Sequence, residues 1–144
     1  MPEPLDSTPS DQLCSLPRHP SSASAARIVL RGFLSDLKDG ERYAEAADLI
    51  VTELVAHTVR RPRVPEHLLI DVLFEYAVPS GLRIEVHDIG RADPGRRPRG
   101  GAEAGTGLGL VREFCSAWGE QVSEGELTTS LVWAQLDPPP GPAA

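Results

Sequence analysis

The chain has 144 residues, 40% of them hydrophobic and 5% aromatic, which supports one core and one domain. Its 14 Lys and Arg against 21 Asp and Glu give a net charge of -7, which argues against general binding to nucleic acid or anionic membranes but leaves room for a small anionic ligand on a local basic patch. No run of 18 apolar residues is present, so no transmembrane helix is expected, and two distant cysteines, Cys14 and Cys115, predict reduced thiols and neither a disulfide framework nor a metal site.

The opening Met-Pro-Glu-Pro-Leu-Asp is acidic and has no apolar stretch, which predicts no secretory leader and a cytoplasmic location. Residues 1–11 are rich in Pro, Ser and Asp and are expected to be a disordered tail. A short edge strand is expected at Leu13–Leu16. Ser21, Ser22 and Ser24 offer cap oxygens to a helix carrying Ala26, Val29, Leu30, Phe33, Leu34 and Leu37, which Asp39-Gly40 stops. A second helix runs from about Glu41 to Arg60 with the stripe Tyr43, Ala47, Ile50, Leu54 and Thr58, and Pro62 and Pro65 end it. Alternation through Leu69–Tyr76 and Leu82–Asp88 about a Pro79-Ser80-Gly81 turn predicts a hairpin. Residues 89–105 read as a long Gly/Pro/Arg loop. A third helix begins near Gly107 and carries Leu110, Val111, Phe114 and Trp118, and strands follow at Glu120–Glu124 and Thr129–Leu136. The last seven residues, from Pro138, cannot join a helix or sheet and form a second disordered tail, so the working domain is residues 12–137. This order predicts an α+β fold: a two-layer sandwich of a mixed, mostly antiparallel sheet with helices on one face.

Three places can carry chemistry. Glu53 and His57 are four apart on the second helix and share a face, with Arg60 continuing it. That polar line either faces water as a solvated pair or lines a cleft. Asp88 ends a strand on the side of Leu82, Ile84 and Val86, where helices should cover it. A carboxylate there needs a partner, because burying it bare costs about several kcal/mol. A ligand amine or an ordered water meets that need, and a turn cap is the plainer alternative. Gly90 beside it would let a flat ligand approach the backbone. Gly105, Thr106, Gly107, Leu108 and Gly109 run into a helix start, where backbone N–H groups can converge on a phosphate. The plain reading of this loop is flexibility. It lacks the Gly-Lys-Ser/Thr of a P-loop and the preceding strand of a Rossmann turn. Arg60, Arg61, Arg63, Arg91, Arg96, Arg97 and Arg99 form either a collar for polyphosphate or ordinary solvated surface. His19, His67 and His87 fit no metal spacing and read as structural or solvated.

Ile50-Val-Thr-Glu53-Leu-Val-Ala, the Asp88-Ile-Gly90 strand end, Gly105-Thr-Gly-Leu-Gly-Leu-Val111 and Leu131-Val-Trp133-Ala-Gln-Leu136 occur in a fixed order. Over about residues 13–136 this arrangement resembles the GHKL ATPase superfamily with its Bergerat ATP-binding fold. In its short single-domain form it is similar to the bacterial anti-sigma-factor serine kinases and related ATP-binding regulators. The resemblance implies ATP with Mg²⁺ under a mobile lid. It assigns the adenine amino group to Asp88, the base to Gly90, and the phosphates to Gly105, Thr106, Gly107, Leu108 and Gly109. Glu53 would be the general base for a serine hydroxyl of an anti-anti-sigma partner. A sigma factor held inactive is the second implied partner, and homodimers are common in the family. No direct contact with nucleic acid or membrane is implied.

The chain departs from that pattern at the metal-holding Asn, which is His57 here. Mg²⁺ prefers hard oxygen ligands, so imidazole is a poor substitute. Three outcomes follow: a cation held by phosphates and water alone, a softer ion such as Mn²⁺ on His57, or binding and regulation without phosphotransfer. Ala92 stands where some relatives have a second Gly, and the terminal-strand Thr of relatives is either matched by Thr129 or Ser130 or replaced by Leu131. Against these stands an unrelated small α+β domain with an inert glycine loop.

Overall fold

The computed structural model describes residues 10–61, 63–65, 69–92, 108–123 and 128–139. The strands are β1 (Ser10–Pro17), β2 (Arg63–Pro65), β3 (Leu69–Ala77), β4 (Gly81–Ala92), β5 (Ala117–Ser123) and β6 (Thr128–Leu136), and the helices are α1 (Ser22–Ser35), α2 (Ala44–Val59) and α3 (Leu108–Phe114). A single 3-10 turn, Gly40–Tyr43, leads into α2. The sheet order is β1-β3-β4-β6-β5, every pairing is antiparallel, and β2 joins the free end of β4. The fold is therefore α+β. Among the described residues no helix is long and apolar enough to cross a membrane.

Period-two alternation decides which face of the sheet is covered. Ile70, Val72 and Phe74 of β3, Leu82, Ile84 and Val86 of β4, and Val132, Ala134 and Leu136 of β6 are buried. α1 lies against β3, and α2 lies against β4 and β6. Phe33 packs on Phe74 with ring centroids 5.9 Å apart, and Tyr43 meets Tyr76 edge-on at 6.0 Å. The two long helices are tied by Arg27, which donates to Thr52 Oγ1 at 2.7 Å, and by the Arg31–Asp48 ion pair. On the other face Arg83 stacks over Trp133 at 4.2 Å and pairs with Glu85, which also meets His87 Nε2 at 2.8 Å.

Several boundaries differ from those expected. β1 starts at Ser10, because Ser10 and Asp11 pair with Tyr76 and Glu75, so the sheet includes two residues of the expected tail; residues 1–9 lie outside the described residues. The second helix divides at Tyr43, its first turn being 3-10. Strand β2 was not expected, since Pro65 reads as a breaker; a three-residue edge strand tolerates it. β4 runs four residues past Asp88, because Gly90–Ala92 pair with β2 on one side and Ile89 and Gly90 pair with β6 on the other. Ile89–Ala92 of the expected loop are therefore strand; residues 93–107 lie outside the described residues. In α3 the core face is Leu108 and Val111, whereas Leu110 and Phe114 point outward, each 46% exposed. Trp118 belongs to β5: Ser116 N–H and Oγ–H both donate to Gln135 O, which ends the helical segment and starts the pairing with β6.

Candidate functional site

The polar residues of interest gather where the C-terminal turn of α2 crosses the far end of β4. Asp88 sits opposite Ser130 on the helix-covered face and is 2% exposed. Its partner is a residue of the chain: Arg18 Nη1 donates to Asp88 Oδ1 at 2.5 Å, with side-chain exposures of 9% and 1%. Nη2 of the same guanidinium donates to Thr58 O at 3.2 Å and Arg61 O at 3.4 Å. Thr58 O belongs to the last turn of α2, where it also accepts from Arg61 N–H at 3.3 Å and where the dipole favours a cation. Arg18 therefore neutralises a buried carboxylate and adds a cation at a helix C-terminus. Asp88 Oδ2 is buried with no hydrogen-bond partner among the described residues.

Local structure fixes where Arg18 starts. It follows the last residue of β1 and enters a tight turn in which His19 N–H donates to Pro17 O at 2.8 Å and Ser22 N–H to His19 O at 2.9 Å. Ser22 Oγ donates to Pro17 O at 2.5 Å, so the expected serine cluster does its work here; Ser21, at the N-cap, makes no side-chain cap bond. Arg18 carries no sequence signal, since it lies outside both arginine-rich stretches, 60–63 and 91–99. The demand of Asp88 for a partner was legible, but the turn that brings position 18 within reach of position 88 was not.

Glu53 and His57 lie on one face of α2, as their spacing requires, and both are half-buried. Among the described residues no hydrogen bond or ion pair engages the Glu53 carboxylate. His57 is committed: its Nε2 lies 3.0 Å from Glu120 Oε2 of β5 and 3.1 Å from Arg61 Nη2, and Arg61 is ion-paired with Glu120. Burial, then Arg61 and Arg60, push the imidazole down to about 4, so it is neutral at pH 7. Glu120 had no sequence signal; only the antiparallel return of β5 brings it beside α2.

This donor set does not fit Mg²⁺. Imidazole is a soft ligand for Mg²⁺, and a cation on His57 would face the Arg61 guanidinium. Among the described residues no three His, Cys, Asp or Glu side chains converge as a metal site. The expected assignment of a metal to His57 thus meets a basic side chain where a second acidic or amide oxygen is needed.

Gly90 is buried within β4, paired with Pro65 and Thr128. Leu108 is buried under α2, and a Cβ added at Gly109 would meet nothing within 4 Å. Gly105, Thr106 and Gly107, with Arg96, Arg97 and Arg99, lie outside the described residues. Arg60 is exposed. His87 points to the open face, away from the Asp88 side chain, where a concavity of about 340 Å³ is lined in part by Leu69, Asp71, His87 and Thr129. Asp88, Ile89 and Ser130 also line that hollow. Cys14 and Cys115 are free and half-buried, and burial raises both thiols, more than the nearby Asp71 does for Cys14.

No family model matches the chain, and no curated protein matches it either.

Proposed function

We propose that the chain is an ATP-binding regulator of the GHKL type, with a Bergerat fold, that controls a sigma factor by protein contact without metal-dependent phosphotransfer. The observation that carries this is the buried Asp88 carboxylate on the helix-covered face, with Oδ2 lacking a donor among the described residues. An exocyclic amine of a purine supplies such a donor, and Gly90 two residues on offers no side chain to obstruct a flat base. The resemblance in the order of Glu53, Asp88 and the glycine loop supports adenine over other amines, and supports a sigma factor and its antagonist as partners. The His57–Arg61–Glu120 cluster supports binding over phosphotransfer, since it puts a guanidinium where a catalytic cation would be needed.

A second reading, a serine kinase acting on the anti-anti-sigma antagonist, is favoured by one feature. Glu53 is a half-buried carboxylate with no partner among the described residues, which suits a proton acceptor for a serine hydroxyl. Thermal unfolding with ATP, with and without Mg²⁺ or Mn²⁺, together with transfer of labelled phosphate to the antagonist, separates the two. ATP at 100 times its dissociation constant should stabilise the fold by about 2.7 kcal/mol. Stabilisation that neither metal alters, with no phosphate transferred, is the expected result. Transfer with either metal establishes the kinase, and no stabilisation under any condition removes the nucleotide site.

A further inference from the structure

We infer that Arg18 is a built-in competitor for the ligand amine at Asp88, so that a nucleotide enters only as this side chain leaves. The inference rests on the nucleotide-site reading above and adds the residue that sets its affinity. A ligand amine and a guanidinium N–H are the same kind of donor to the same acceptor, and Arg18 Nη1 already donates to Oδ1 at 2.5 Å. Asp88 cannot yield: it lies in mid-strand, 1% exposed at its side chain and paired through its backbone to β6. Arg18 can. It belongs to the turn between β1 and α1, and its hold on the site is made by its side chain alone, through Asp88, Thr58 O and Arg61 O. Rotating that side chain out breaks no strand pairing and no helical hydrogen bond. The neighbouring His19 and Ser21 are exposed, so a path to water lies beside it. The vacated carboxylate then has both oxygens open to donors, and Oδ2, unpartnered now, gains one. Because the ligand-competent state is only the fraction with Arg18 out, the apparent affinity falls by that fraction.

Titration calorimetry with ATP on the full chain and on Arg18→Ala and Arg18→Lys tests this. Removal of the competitor should tighten binding at least tenfold in Arg18→Ala. Arg18→Lys, which keeps the charge but loses the fork that reaches the two carbonyls, should lie between. Since Arg18→Ala leaves Asp88 unpaired and can weaken the fold, ¹⁵N spectra of arginine side chains in the unmutated chain give a second readout. Saturating ATP should shift the Arg18 signal from a slowly exchanging, buried position to a solvent-exposed one. Equal or weaker ATP binding by both variants, or an Arg18 signal unmoved at saturation, overturns the competition while leaving the nucleotide site in place. No ATP binding by any of the three proteins overturns the site reading and the competition with it.

Discussion

At the residue scale, the sharpest consequence concerns His57. Its imidazole titrates near 6.5 in an unfolded chain and is pushed down to about 4 in the fold. Between those values the unfolded chain binds the extra proton, so stability is full above about 6.5 and is lost as pH falls toward 4. The gap corresponds to at most roughly 3 to 4 kcal/mol, less any solvent screening. Urea unfolding between pH 7 and pH 4 should show that decline, and His57→Asn should flatten it. Glu85 acts in the same direction at lower pH. Burial raises its carboxyl, but the hydrogen bonds from Arg83 and His87 outweigh it and hold the group below its usual 4.5. Its contribution is therefore lost only from about 4.5 downward, where most of the His57 decline is already over. Gly81 is the other residue whose identity is fixed locally. With φ of +99° and a built Cβ only 2.1 Å from Leu136 O, Gly81→Ala should cost more than about 1 kcal/mol and lower the melting temperature.

At the element scale, α3 separates packing from ligand contact. Its seven residues hold the domain through Leu108 and Val111 only. Gly109 points into open space, so Gly109→Ala relieves the entropic cost of a helical glycine and should stabilise the fold by about 0.5–1 kcal/mol. If that position lies against phosphates, the same change should weaken ATP binding, and calorimetry beside a melting curve reads both. Loss of affinity with a gain in stability marks a ligand contact. The end of α2 carries a different lesson. Its polar line was expected to face water or a cleft, and instead His57 is closed over by Arg61 and by Glu120 of β5. Spacing along a helix tells which residues share a face, never what that face meets.

At the scale of the whole molecule, one layer of helices on one side of an antiparallel sheet leaves Phe74 among the largest fully buried side chains. Phe74→Ala empties the contact with Phe33 and should cost about 3–5 kcal/mol in urea unfolding, a large share of what a domain of this size has. The two faces of the sheet were legible because alternation is a local property: Ile70, Val72 and Phe74 had to face one way, and Asp88 had to share the side of Val86. The same rule foretold that Asp88 would need a partner. Element ends were less legible. Whether β4 stops at Asp88 or continues to Ala92 depends on β2 and β6 lying alongside, and Trp118 becomes a strand residue because Gln135 O captures Ser116.

The sequence by itself determined the helix and strand periods, the helix-covered face of the sheet and the placement of a carboxylate within it, because these follow from side-chain direction along a regular backbone. Tertiary structure alone decided that Arg18 reaches Asp88 across seventy residues and that Glu120 and Arg61 surround His57. Such pairings depend on how the sheet is ordered and how the helices lie on it, and neither is written in any local stretch of the chain.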